Sequence, residues 1–127
     1  MPNDSTIAVV DDDASLREAL RGLLRSAGFH AEVFASAEEF LRSGRVRGTA
    51  CLILDVRMPG MSGVELQERL MASDLAVPIV FISAHGDEEV RALALERGAV
   101  DFLQKPFSDD ALLTAIARAG GISSQDP

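Results

Sequence analysis

The sequence predicts an α/β fold in which five parallel strands form one doubly wound sheet. Two observations carry that reading. Five short apolar runs alternate with stretches of helical period, and that alternation implies right-handed crossovers onto a parallel sheet. Three of the runs are nearly continuous in Ile, Val, Leu and Phe, as strands buried on both faces are. Of the two common doubly wound orders, five strands suit 2-1-3-4-5.

The first run, Ile7 to Val10, ends in Asp11, Asp12 and Asp13. Leu16, Ala19, Leu20, Leu23, Leu24 and Ala27 then recur at helical spacing, and Gly28 stops the helix. The second run is Ala31 to Phe34; Ser36 with Glu39 has capping-box spacing and opens the second helix. The third run, Cys51 to Leu54, is followed by Asp55, and Ser62 with Glu65 repeats the capping-box spacing before the third helix. Ile79 to Ile82 is the fourth run, followed by Ser83. Val90, Leu93 and Ala94 mark a fourth helix that Gly98 ends. The fifth run, Val100 to Leu103, leads to Lys105 and Pro106, and Leu112, Ala115, Ile116 and Ala119 mark the last helix. Gly120 and Gly121 end it, so residues 1–120 read as one domain and 121–127 as a tail or the start of a linker.

Bulk properties narrow the function. The 127 residues suit one domain, and 47% hydrophobic content is globular rather than disordered. A net charge of -8 repels nucleic-acid phosphates, so no direct DNA binding by this segment is expected. One cysteine, Cys51, excludes an internal disulfide and sits in an apolar run as a small buried hydrophobe. Met1 to Thr6 carries no signal-peptide pattern, and no apolar stretch is long enough to span a bilayer, so a cytoplasmic location without membrane contact is expected.

Ligands of doubly wound sheets bind outside the carboxyl ends of the strands. In the order 2-1-3-4-5, strands 1, 3, 4 and 5 lie side by side, so Asp11, Asp12, Asp55, Ser83 and Lys105 converge on one edge. Crowded carboxylates raise each other's pKa unless a cation compensates. Mg²⁺ is the natural cation, being hard and held by carboxylates, phosphate oxygens and water. A carboxylate can also attack phosphorus to give an aspartyl phosphate. Ser83 could then bond one phosphoryl oxygen and Lys105 pair with another. Taken singly, each residue has an ordinary structural role; Asp13 in particular reads as a helix N-cap.

The motifs Val9-Val10-Asp11-Asp12-Asp13, Leu54-Asp55-Val56-Arg57-Met58-Pro59-Gly60-Met61-Ser62-Gly63, Ile82-Ser83-Ala84-His85 and Lys105-Pro106-Phe107 together resemble the receiver domain of two-component response regulators. The likeness spans residues 5 to 119. The surroundings of Asp55, with Ala84 to Asp87 and Gly98 to Phe102, most resemble FixJ-type receivers. The resemblance implies a flavodoxin-like fold and a phosphorylation-activated switch rather than an enzyme. It implies Asp55 as phosphoacceptor and Mg²⁺ on the Asp12 and Asp55 side chains, with Asp11 acting mostly through water and Arg57 supplying a backbone carbonyl. It implies Ser83 as the switch hydroxyl, Phe102 as the aromatic that turns inward with it, and Lys105 as the phosphoryl contact, joined to Pro106 by a cis bond. Arg57 and His85, two residues beyond Asp55 and Ser83, either overhang the pocket and modulate dephosphorylation or stand as solvated loop side chains. The implied partners are a sensor histidine kinase and a second copy in a phosphorylation-dependent homodimer; DNA is a partner only through a C-terminal output domain beyond residue 127, the alternative being a stand-alone receiver.

Two other functions compete. A Mg²⁺-dependent phosphatase of the haloacid-dehalogenase kind would use Asp11 as nucleophile, with Asp13 and Ser15 completing the motif. It leaves the Met58-Pro59 stretch without a role. A receiver working only as a binding module would not need Asp12, Asp55, Ser83 and Lys105 intact.

Overall fold

The structure, a computed structural model, describes residues 6–84 and 88–119. The expected helix stop at Gly120-Gly121, the 121–127 tail and His85 lie outside the described residues. The elements are β1 (Thr6–Val10), α1 (Ala14–Ser26), β2 (His30–Phe34), α2 (Ala37–Arg42), β3 (Cys51–Asp55), α3 (Gly63–Ala72), β4 (Ile79–Ser83), α4 (Glu88–Glu96), β5 (Asp101–Gln104) and α5 (Asp109–Arg118).

The five strands pair in parallel in the order β2-β1-β3-β4-β5, as the alternation predicts. Residues of β3 and β4 are buried throughout, whereas the edge strands β2 and β5 are only partly covered. Alternation along each strand divides the interior into two layers. Ala8, Val10, Leu52, Leu54 and Phe81 pack with Phe40 of α2 and Leu66 and Leu70 of α3. Ile7, Val9, Ile53, Val80 and Ile82 pack on the other face with Leu20 and Leu24 of α1 and Leu112 and Ile116 of α5. Each Val, Leu, Ile or Phe among them contributes about 1.5–3 kcal/mol by leaving water.

Strand boundaries shift by one residue from the sequence reading: β1 and β2 begin earlier, at Thr6 and His30, and β5 ends later, at Gln104. Asp55 and Ser83 close β3 and β4 rather than follow them, because Asp55 still pairs with Ile82 and Ser83 with Gln104. β5 starts at Asp101, one residue later than predicted, although the Val100 amide already donates to the Ile79 carbonyl (2.7 Å). Ser62 and Glu65 form the full capping box, each accepting from the other's backbone amide (3.1 and 2.8 Å). Ser36 accepts from the Glu39 amide (3.0 Å), but the Glu39 carboxylate reaches one residue further back, to the Ala35 amide (3.0 Å). The box predicted at Ser36 is therefore a Ser N-cap with a displaced acidic partner.

Gly28 and Gly98 end α1 and α4 as predicted. Both have φ near +100°, and the next amide turns back to the helix: Phe29 to Leu24 (2.9 Å) and Ala99 to Ala94 (3.0 Å). Gly63, the first residue of α3, has a different task. A Cβ there would lie 2.2 Å from the Asp55 carbonyl oxygen, and the Gly63 amide donates to the Val56 carbonyl (2.9 Å). The start of α3 thus abuts the backbone of Asp55, and only a residue without a side chain fits. Gly63→Ala is expected to lower stability in urea denaturation by at least about 2 kcal/mol, because strand and helix must separate. A change under about 0.5 kcal/mol, the range of an inconsequential surface substitution, would show that the contact relaxes freely.

Candidate functional site

The carboxyl ends of β1 and β3 are adjacent because the two strands pair in register, Val10 opposite Leu54. Asp11 and Asp12 therefore emerge beside Asp55. One oxygen from each of the three carboxylates falls within 4.8 Å of the others, with Asp11 and Asp55 buried and Asp12 exposed. Lys105 arrives from the end of β5, steered by its own amide donating to the Ser83 carbonyl (2.7 Å). Its Nζ lies 3.1 Å from Asp11 Oδ2 and 3.6 Å from Asp55 Oδ1. The Lys105–Pro106 bond is cis, as the resemblance implies.

Asp11 is fully buried, which an ionised carboxylate tolerates only with partners. Its Oδ1 accepts from the Asp13 amide (2.9 Å) and its Oδ2 from Lys105. Its carbonyl accepts from the Arg17 guanidinium (2.8 Å), a contact from α1 that the sequence reading did not assign. Asp13 caps α1, accepting from the amides of Ser15 and Leu16 (2.9 and 3.3 Å). That gives Asp13 the helix-capping role its sequence position suggests.

Asp55 is only 6% exposed. Burial pushes its carboxyl up to about 6; the Asp11 charge adds to the rise, Lys105 opposes it, Asp12 adds a little, and the Arg57 amide opposes it by hydrogen bonding. Three carboxylates against one ammonium leave uncompensated negative charge from hard oxygen donors. That donor set fits a Mg²⁺-sized cation keeping part of its water.

Ser83 is buried at the end of β4. Phe102 pairs across strands with Phe81, the ring centroids 6.1 Å apart, and is 8% exposed. The ring already lies inside, so the inward turn expected from the resemblance has no exposed starting point in this structure. Arg57 is exposed at the rim. Beside the pocket, Leu16, Leu20 and Leu23 of α1 and Pro106 and Phe107 line an open groove.

Residues 7–117 match the response regulator receiver domain family. The chain belongs to that family. Receivers of this family are signalling switches and not classical enzymes. Similar proteins include nodulation protein W of Bradyrhizobium diazoefficiens, 46% identical over 89% of this chain and 50% of that protein. The response regulator TodT of Pseudomonas putida is 46% identical over 95% of the chain and 53% of its own length. The transcriptional regulator FixJ of B. diazoefficiens is 43% identical over 94% and 58%. The chain thus spans about half the length of these relatives. Among solved structures, the response regulator StyR has a TM-score of 0.85 at 55% identity, covering 91% of this chain and 58% of that one. The FixJ N-terminal domain has a TM-score of 0.83 at 36% identity, covering 99% of both. The receiver is of the FixJ type, as its motifs imply. No helix among the described residues is long and apolar enough to cross a membrane.

A raised Asp55 pKa makes the metal-free receiver lose stability as pH rises. Below about pH 4 the carboxyl is protonated in both folded and unfolded chains; between about 4 and 6 only the folded chain keeps the proton; above 6 the full cost is present. Asp55→Asn in chelator is therefore expected to be more stable than the parent by about 1–2 kcal/mol at pH 7.5. The gain should fade towards pH 4 in urea melts across that range. A pH-independent difference would mean that the charge is not its source.

Proposed function

We propose that this receiver is phosphorylated on Asp55 in a Mg²⁺-dependent reaction and relays that event through its α4–β5–α5 surface. The observation that carries the proposal is the meeting of Asp11, Asp12, Asp55 and Lys105, from three strand ends, in one pocket. Asp12 and Asp55 would hold the metal by their side chains, Asp11 through water and Arg57 by its backbone carbonyl. When bound, Mg²⁺ supplies neutralisation of the charge on the transferring phosphoryl group.

An Asp55 carboxylate oxygen attacks phosphorus in line with the phosphohistidine nitrogen of a partner kinase. The P–O bond forms as the P–N bond breaks, and the leaving electron pair returns to the imidazole. Lys105 turns from the carboxylates to a phosphoryl oxygen, and the Ser83 hydroxyl donates to another. The groove along α1, which reaches Lys105 at the pocket, would give the donor protein its docking surface. His85 and Arg57 would modulate water access, and hence the lifetime of the phosphoryl group. Because Phe102 is already packed on Phe81, its part in the switch would be a choice between packed arrangements rather than a gain in burial.

Residues 1–120 would form the receiver, and 121–127 the start of a linker to an output domain that controls transcription, in keeping with the name of the relative FixJ. Cytoplasmic action with a sensor histidine kinase completes the reading.

A small phosphodonor such as phosphoramidate should add one phosphoryl group by intact mass. Asp55→Asn and chelation should each abolish it; full labelling of the Asn variant would sink the assignment. Lys105→Ala should bind Mg²⁺ at least as tightly as the parent, since a competing cation is gone, yet be labelled more slowly. If it loses metal affinity instead, Lys105 has another role.

A phosphorylation-dependent homodimer through α4 and β5 is the expected output, closed by two-fold symmetry. Light scattering should show a larger dimer fraction with phosphodonor. Ser83→Ala should still take the phosphoryl group but dimerise less. A fully phosphorylated parent that stays monomeric would point to a contact with another domain.

A further inference from the structure

The loop from Val56 to Ser62 joins β3 to α3 and carries Arg57, whose carbonyl is the one proposed metal contact not made by a side chain. Hydrogen bonds fasten the base of this loop: the Val56 amide to the Ile82 carbonyl (3.1 Å), and the Gly63 amide to the Val56 carbonyl (2.9 Å). Met58 is buried in the core layer under α2 and α3. The outer stretch, Pro59 and Gly60, is exposed, so its course depends on what reaches over to it.

Glu38 reaches over. Its Oε2 accepts from the Met61 amide (3.0 Å), a contact spanning 23 positions between two different crossovers of the sheet. The side chain is aimed by α2. Ser36 caps that helix, and Ala37 and Phe40 bury its inner face, which leaves Glu38 in the first turn on the side of the loop. Its carboxyl is held below the usual range, first by its own backbone amide and then by that of Met61. Gly60 has φ +79°, and a Cβ there would come within 2.8 Å of Glu38 Oε2. The carboxylate therefore lies close over the bare backbone of Gly60 while bonding the next amide. A side chain at position 60 would displace it.

We infer that Glu38 is a positioning residue for the phosphorylation site, holding the β3–α3 loop from α2 so that the Arg57 carbonyl keeps its place at the acidic pocket. The inference rests on the proposed function and adds a residue that touches neither phosphoryl group nor metal. Without Glu38 the loop keeps its base hydrogen bonds and the Met58 anchor, so the fold remains. What is lost is the definition of the outer turn, and outer contacts of this kind tune metal sites strongly.

The test uses Glu38→Ala and Glu38→Gln in the full chain, with Mg²⁺ titrated by calorimetry, since the chain has neither Trp nor Tyr to report by fluorescence. Urea melts record stability, and phosphoramidate labelling records rate. Glu38→Ala should bind Mg²⁺ on the order of tenfold more weakly. Its labelling should be slow at low Mg²⁺ and recover at saturating Mg²⁺. Glu38→Gln, whose amide oxygen can accept the same N–H, should stay close to the parent. Glu38→Asp, which keeps the charge but is one methylene too short to reach the Met61 amide, should reproduce the loss and serves if Glu38→Ala does not fold. The inference is overturned if Glu38→Ala and Glu38→Asp bind Mg²⁺ like the parent, if they lose only stability, or if Gln is as impaired as Ala. A parent that neither binds Mg²⁺ nor takes a phosphoryl group would remove the functional reading, and this one with it.

Discussion

The repulsion among Asp11, Asp12 and Asp55 is the constraint around which this receiver is organised. The sheet forces it: β1 and β3 pair in register, and their carboxyl ends deliver acidic residues to one spot, two of them buried. Such a cluster persists only if the rest of the molecule holds it. Two hydrophobic layers fix the strands. The amide of Asp13, the cap of α1, holds the Asp11 carboxylate, the Arg17 guanidinium of α1 holds its backbone carbonyl, and Lys105 crosses from the end of β5 to balance part of the charge. What stays unbalanced favours a cation and raises the Asp55 carboxyl, so the destabilising feature coincides with the site proposed for phosphorylation.

The fold was legible because its signal is periodic and redundant. Continuous apolar runs separated by amphipathic stretches leave few alternatives, and the strand order followed from their number and handedness. The strand-end residues Asp11, Asp12, Asp55, Ser83 and Lys105 could be read because sheet topology maps sequence order onto place. Boundaries were less legible: Asp55 and Ser83 belong to their strands through single ladder partners, which no local pattern reveals.

Contacts that depend on side-chain reach were not legible at all. Nothing in the run Ser36 to Phe40 indicates that Glu38 bonds a loop 23 residues on, or that Glu39 turns back to Ala35 rather than to Ser36. Gly63 stood inside a recognised motif, yet the reason for it, the Asp55 carbonyl where a Cβ would go, exists only once α3 is docked. Phe102 differs again. Its place in β5 was foreseeable, but whether the ring lies inside or outside is settled by packing against Phe81.

Lys105 is a counter-ion that cannot diffuse away. It is separated from Asp11 by 94 positions in sequence, yet its ammonium sits 3.1 Å from that carboxylate because the chain delivers it there. A free cation protects such a pocket only in proportion to its concentration, whereas a tethered one acts at a fixed effective concentration. The domain therefore carries its own minimum of charge compensation whatever the concentration of free cations around it.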